Sequence, residues 1–483
     1  MTTDFQTMLR KTGEVGYARK VIHEVVEIEG LPGIRLGETV MFETGQIGQT
    51  IALNEEGVEV LVLSVVSVRS GTKAVRTGEE MKIEVGDALL GKTVDVLGKP
   101  VDGVLMDTQG WDKRALDVVP RGIGQRQRIT RRLVTGASVV DQMVPIGKGQ
   151  RELVMGDRKT GKSQLLMQTL ICQANRGNIC VYAAIGKKKT EILKLEGFLK
   201  ENKVADRTVL VATSSHESAG QIFLCPYTAM TVAEHFRDQG KDVLVILDDM
   251  SAHAQFYREL SLLSRKFPGR DSYPGDIFHV HSKLLERAGN FKVGQGEASI
   301  TCLPVVETVM GDITGYIQTN LMSMTDGHIY FDSDLFYRGR RPAINPFVSV
   351  TRVGRQTQTP LGRDVGRVLL ELLNSYEKTQ SFLKFGAELG ENSRQVLAIG
   401  EKILALFDQP QLSVIEANIQ PILVGLMMAG LWDGLNGVKM SLNYQNNQQF
   451  RESADEIVAK HQSLNSLVEE LRRNPGAWQR FLT

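Results

Sequence analysis

A chain of 483 residues is longer than one hydrophobic core usually holds, so about two or three domains are expected. Its 57 basic and 56 acidic residues leave a formal charge of +1, which argues against a protein held to nucleic acid by bulk charge. Cys172, Cys180, Cys225 and Cys302 are scattered in apolar surroundings with no C-x-x-C pair, the pattern of buried thiols in a reducing compartment rather than of disulfides or a metal. Met1-Thr-Thr-Asp-Phe5 lacks the basic and apolar parts of a leader peptide. No apolar run reaches membrane-spanning length, so membrane association is expected only through partners.

Taken in order, residues 1–13 read as a polar, loosely held tail. Residues 14–80 alternate β-rich runs with glycine-marked turns. Examples are Val21–Val26, Glu38–Phe42 and Val58–Val66, punctuated by Gly30, Gly33, Gly37, Gly45 and Gly57, and this spacing suggests a small β-barrel. Residues 81–358 alternate short apolar runs (Ile179–Ile185, Thr208–Thr213, Val243–Leu247, Ser299–Val305) with helix-length segments, the signature of a parallel sheet covered by helices. Across 359–483 the strand signal disappears. Leu361–Phe385, Gln395–Phe407 and Ala454–Arg473 carry helical periodicity, so a C-terminal α-helical bundle is expected.

The chemistry starts at Gly156-Asp157-Arg158-Lys159-Thr160-Gly161-Lys162-Ser163, between the apolar run Glu152–Met155 and a helical pattern beginning at Gln164. Strand, glycine-rich turn, then helix is the context of a phosphate-binding loop. The glycines permit backbone angles that turn successive N–H groups toward a triphosphate, and the helix adds its positive end. Lys162 brings charge to the outer phosphates, and Ser163 offers a hydroxyl to magnesium. Asp248, closing the run Val243–Leu247, is the carboxylate expected beside that magnesium, directly or through water.

Hydrolysis also needs a group that polarises water, usually a carboxylate just past the strand neighbouring the phosphate loop. Here the chain reads Gly186-Lys187-Lys188-Lys189-Thr190, and a lysine serves as base only with a strongly depressed pKa. This loop reads equally as a solvated basic turn or as a direct phosphate contact, with Glu191 the nearest carboxylate in sequence. Arg352, after the short run Val348–Thr351, is either structural or an arginine finger reaching a neighbour's γ-phosphate. His279 and His281 have no third ligand in sequence, which argues against zinc.

Together these residues resemble the α-subunit family of the rotary F-type ATP synthases along nearly the whole chain. The resemblance is carried by Val144-Pro-Ile-Gly-Lys-Gly-Gln-Arg-Glu-Leu153 before the phosphate loop, Pro268-Gly-Arg-Asp-Ser-Tyr-Pro-Gly-Asp276, His281-Ser-Lys-Leu-Leu-Glu-Arg287, Thr325-Asp-Gly327, Arg341-Pro-Ala-Ile-Asn345 and Ser349-Val-Thr-Arg-Val-Gly354. It implies a β-barrel, a central α/β RecA-like P-loop NTPase domain and a C-terminal helical bundle. It also implies a ring in which α alternates with catalytic β subunits around a γ shaft, and a location on the cytoplasmic face of the bacterial cell membrane through the membrane sector. By the same resemblance, Gly156 to Ser163 would hold the phosphates of ATP or ADP, and Ser163 and Asp248 would serve Mg²⁺. Arg341, Pro342, Gln409 and Gln411 would line the base pocket, and Arg352, with Ser349 in its loop, would enter the adjacent β site.

The sequence departs from the family in places. Lys159 replaces a usual glutamine in the phosphate loop, which implies tighter phosphate binding. Lys187 stands where α subunits carry glutamine and β subunits the water-positioning carboxylate, so a non-catalytic nucleotide site is expected. The segment before the barrel is short for the family, in which it meets the δ subunit and peripheral stalk. The competing reading is a self-sufficient hexameric ATPase of the type III or flagellar export kind, which would need its own carboxylate at Lys187. A RecA-like nucleic-acid translocase would need a basic or aromatic barrel surface. The barrel instead carries Glu24, Glu27, Glu29, Glu38, Glu43, Glu55 and Glu56 with few aromatics.

Overall fold

A computed structural model describes residues 5–55, 57–384, 390–431 and 436–475. Residues 1–4 of the expected tail, Glu56 and Phe385 lie outside the described residues. The chain folds as two compact units: one contains Met1–Gln127, Asn178–Val306 and Thr314–Met324, the other Arg128–Gly177, Glu307–Ile313 and Thr325–Thr483.

The first unit opens with a short helix, Phe5–Thr12, where a loose tail was expected. Phe5, Met8, Leu9 and Thr12 are its half-buried face, an i, i+3, i+4, i+7 stripe hidden among polar residues. A closed barrel follows, of β1 (Gly16–Ile22), β2 (Val25–Glu29), β3 (Glu38–Phe42), β4 (Ile47–Asn54), β5 (Gly57–Val62) and β6 (Lys73–Glu80), in the order β1-β2-β5-β4-β3-β6. Alternation drives it: Val26, Ile28, Val40, Phe42, Val60 and Val62 point inward into one core. The run Val21–Val26 is not one strand but the turn of a hairpin, since His23 takes φ +51° between β1 and β2. Glu38 is not a surface acid either; it is buried and accepts from Arg76 Nε at 2.9 Å and from the Gly78 amide at 2.7 Å.

The same unit holds a parallel sheet in the order Thr93–Val94, Thr208–Ser214, Ile179–Lys187, Val243–Asp248 and Gly296–Glu307. Strands buried on both faces read as continuous apolar runs, which is why these were visible in the sequence. The helices Lys189–Glu201, Ala219–Asp238 and Met250–Leu263 accompany them, the last capped by Asp249, whose carboxylate accepts from the Ala252 amide at 2.6 Å. All of the cysteines are free and buried, and burial pushes the Cys172 and Cys225 thiols up to about 12.

In the second unit, Glu152–Gly156 pairs in parallel with Gly327–Phe331, which pairs antiparallel with Val350–Thr351. The helix Lys162–Asn175 follows the phosphate loop. The C-terminal region is helical: Pro360–Lys384, Glu391–Phe407, Ile419–Met428, Gly437–Asn446, Gln448–Lys460 and Leu464–Arg473. Leu361, Val365, Leu369, Leu373 and Tyr376 form the buried stripe of the first of these. The stretch Ala454–Arg473, expected as one helix, breaks at 461–463. Ser463 there caps a new helix by accepting from the Ser466 amide. No described helix is long and apolar enough to cross a membrane.

Candidate nucleotide site

The phosphate loop is built on buried strand Glu152–Gly156 in the second unit. Gly156 has φ +150°, and a Cβ there would meet the Phe331 carbonyl oxygen at 2.6 Å, so only glycine fits. Gly161, at φ +103°, starts the helix, and Lys159 adopts φ +64° without being glycine. The loop's side chains divide into two groups. Asp157 is spent inside the fold, accepting from Thr308 Oγ1 at 2.6 Å, Ser333 Oγ at 2.8 Å and the Gly311 amide at 3.0 Å. Burial pushes its carboxyl upward, but these donors and the Lys162 charge win and hold it below the usual aspartate value. Thr160 Oγ1 donates to the Asp157 carbonyl at 2.8 Å, and Arg158 pairs with Glu307 at 2.7 Å. Asp157, Thr160 and Arg158, expected at the phosphates, therefore shape and anchor the loop.

Lys159 and Ser163 form the other group. Both are exposed, with no side-chain partner among the described residues. Lys162 is buried and folds its ammonium onto the carbonyls of Gly156 (2.7 Å) and Asp157 (2.6 Å).

The expected base-pocket segments meet in this unit. The Gln409 amide donates to the Arg341 carbonyl at 2.7 Å, and the Arg341 amide to Asp408 Oδ1 at 2.9 Å. Arg341 stacks its guanidinium 3.8 Å above the Phe336 ring and, with Pro342, Asn345 and Phe347, lines a cavity of about 150 Å³. Gln411 is exposed. The Gln409 side chain is not available to a base: buried, it donates to the Gly136 carbonyl at 3.0 Å and accepts from the Ser138 amide at 2.5 Å.

Arg352 lies beyond Val350–Thr351. Its amide donates to the Asp326 carbonyl at 3.0 Å, while Asp326 chelates Arg151 at 2.9 and 3.1 Å, so the Thr325–Gly327 turn ties the Arg352 loop to the phosphate-loop strand. The Arg352 guanidinium is exposed and has no ion-pair partner among the described residues. Ser349 faces inward instead, its hydroxyl donating to the Asn345 carbonyl at 2.7 Å and accepting from the Tyr330 amide at 2.9 Å. These bonds brace the loop that carries Arg352.

In the first unit, the parallel register sets Ala184 beside Asp248, which brings the extension to Lys187 alongside that carboxylate. Lys187 Nζ lies 2.8 Å from Asp248 Oδ1 and 3.6 Å from Asp249 Oδ2, while the Tyr182 hydroxyl donates to Asp248 Oδ2 at 2.6 Å. Burial alone would lower the Lys187 pKa, but the two carboxylates outweigh it and hold it above the ordinary lysine value. Lys187 is therefore a fixed cation, neither the solvated turn nor the free phosphate contact that its sequence allowed. Glu191 turns back to the Lys188 amide at 3.4 Å as part of a capping box.

Magnesium takes oxygen donors that are free to turn toward it. Both Asp248 oxygens already hold donors, and no group of three or more His, Cys, Asp or Glu residues is arranged for a metal among the described residues. Asp248 is expected beside magnesium directly or through water; direct contact would require expelling Lys187, so the pairing seen here suits only the water-mediated form.

Residues 136–351 match the nucleotide-binding domain of the ATP synthase alpha/beta family, and residues 358–474 match the family described as ATP synthase alpha/beta chain, C terminal domain. ATP synthase subunit alpha of Caldanaerobacter subterraneus subsp. tengcongensis is 42% identical over 421 residues, covering 86% of this chain and 83% of that protein. The chain belongs to the ATP synthase α-subunit family. The barrel, the nucleotide-binding α/β domain and the helical C-terminal region are the architecture of that family, as the sequence had implied. Tyr182, the Asp157 anchors Thr308, Gly311 and Ser333, and the Arg158–Glu307 pair escaped the sequence reading. Only their tertiary placement gives them a role.

Proposed function

We propose that this chain is the non-catalytic, nucleotide-binding α subunit of an F-type ATP synthase, alternating with catalytic β subunits in a ring around a γ shaft. It binds ATP or ADP with its phosphates on Gly156 to Ser163, where Lys159 and Lys162 supply charge and Ser163 offers its hydroxyl to magnesium. The base lies by Arg341 and Pro342, with Gln409 bracing that pocket from behind. The single observation that carries the non-catalytic reading is Lys187. Where hydrolysis needs a water-positioning carboxylate, this chain has an ammonium held 2.8 Å from Asp248. The exposed Arg352 guanidinium, without an ion-pair partner among the described residues, supports its role as the arginine finger of the neighbouring β site. Through that ring the subunit takes part in coupling transmembrane proton or sodium flow to ATP synthesis or hydrolysis, on the cytoplasmic face of the membrane, with the δ subunit and peripheral stalk as further partners.

Steady-state ATP turnover tests the reading. The purified chain alone is expected to show none, and turnover is expected to appear on reconstitution with a β-type subunit. Robust hydrolysis by the chain alone would establish a self-sufficient ATPase instead.

A further inference from the structure

We propose that Glu152 and Gln150, buried where the phosphate-loop strand begins, are positioning residues for Arg352 that fix the point from which its guanidinium leaves the fold. The proposal rests on the arginine-finger reading above and adds to it the internal contacts that aim the finger.

A finger stabilises charge only from the right place, and a shift of about 1 Å in its mounting is costly. The mounting of Arg352 lies wholly within the second unit. There the register sets Glu152 beside Gly327, and Gly327 beside Thr351, the residue before Arg352. A Cβ at Gly327 would meet the Glu152 oxygens at 2.6 and 2.9 Å, so glycine is what lets this carboxyl lie against the backbone. Gln150 makes the connection. Its amide nitrogen donates to Glu152 Oε2 at 2.6 Å and to Thr351 Oγ1 at 3.3 Å, while its oxygen accepts from the Gly147 amide at 2.8 Å. Thr351 Oγ1 in turn donates to the Pro145 carbonyl at 2.9 Å and accepts from the Gly354 amide at 3.0 Å, closing the backbone on both sides of Arg352. Glu152 and Gln150 are fully buried whereas Arg352 is exposed, so the support is internal and only the tip is free. Burial raises the Glu152 carboxyl well above its usual value; the Asp326 charge adds to this, and Gln150 and the Arg352 charge oppose it. A neutral acid here holds Gln150 without drawing the guanidinium inward as a buried anion would.

Steady-state hydrolysis by a ring reconstituted from the full chain and a β-type subunit tests this, beside calorimetric ATP titration of the chain alone. Glu152→Met and Gln150→Met are expected to lower kcat by about tenfold or more, with KM within about twofold of the parent. The chain's own ATP affinity, which depends on a phosphate loop carried by the same strand, is expected to stay within about threefold. Glu152→Gln, which keeps a neutral acceptor for Gln150, is expected to restore turnover. In an Arg352→Ala background Glu152→Met should cost no more than about twofold further, since both act through one group. Circular dichroism melts establish folding; should Glu152→Met not fold, Thr351→Val, with Thr351→Ser as its restoring variant, carries the same expectations. The proposal is overturned if the Met variants turn over at the parent rate, if Glu152→Gln loses as much as Glu152→Met, if the chain's own ATP affinity falls in step, or if the full loss persists without Arg352. In each of these cases the finger itself would stand. Parent-rate hydrolysis by Arg352→Ala alone would instead remove the finger, and this proposal with it.

Discussion

At the phosphate loop, Lys159 and Ser163 face solvent with no side-chain partner among the described residues, and Lys162 waits on two backbone carbonyls. At the carboxyl ends of Ile179–Lys187 and Val243–Asp248 the situation is reversed. Both oxygens of Asp248 are already matched, one by an ammonium and one by a phenol. On the reading proposed above, holding a triphosphate and splitting it would draw on separable parts of a P-loop fold.

The largest effect that would sharpen this contrast lies at Arg352, which belongs to neither region. In a ring reconstituted with a β-type subunit, Arg352→Ala is expected to lower hydrolysis by a factor of about 10³ or more. The chain's own ATP affinity and melting temperature should be unchanged, because the side chain is exposed and has no ion-pair partner among the described residues. Hydrolysis at the parent rate would remove the finger. Next comes Lys162→Gln, which takes the fixed charge from the loop and should weaken ATP binding by about 10²-fold in calorimetry. Retained affinity would mean that the nucleotide sits elsewhere.

Smaller effects separate the regions by pH. His253, on the helix capped by Asp249, is buried against His281 at 3.1 Å, and burial lowers its pKa to about 4. An unfolded histidine takes up its proton near pH ~6.5, so stability present above that value is lost as pH falls toward 4, by on the order of 2–3 kcal/mol. Urea melts at a series of pH values should show this slope and find it shallower in His253→Gln. Under the phosphate loop the sign is opposite. Burial raises the Glu152 carboxyl well above its usual value, and its Oε1 has no partner. A raised folded pKa means that folding takes up a proton once pH passes the unfolded carboxylate value, so stability falls as pH rises above the usual carboxylate range. Glu152→Gln should therefore stabilise the protein by about 1–2 kcal/mol at pH ~8 and change little near pH ~4. A destabilised variant at the higher pH would show that the carboxylate is ionised and useful.

Much of the fold was legible because its elements are simple patterns: apolar runs for buried parallel strands, alternation for the barrel, and the glycine loop between strand and helix. The misses have local physical causes. His23 takes a positive φ that glycine normally marks, and the Phe5–Thr12 helix hides three half-buried apolar residues, Phe5, Met8 and Leu9, in a polar stretch. At the candidate site, residue types were readable but their partners were not. Lys187 and Asp248 are 61 positions apart, and only the register of neighbouring strands joins them. Gln409 reads as a pocket residue until its amide is found closing the 136–138 backbone, a contact spanning 271 positions.

The central claim is that this chain holds a nucleotide it does not split. Its most direct test is the fate of one equivalent of γ-labelled ATP bound to the purified full chain and followed by quench over many minutes. The account predicts that the label stays on ATP, with phosphate release no faster than in a Lys162→Gln control. Stoichiometric release of labelled phosphate from the bound ATP, faster than that control, would contradict it.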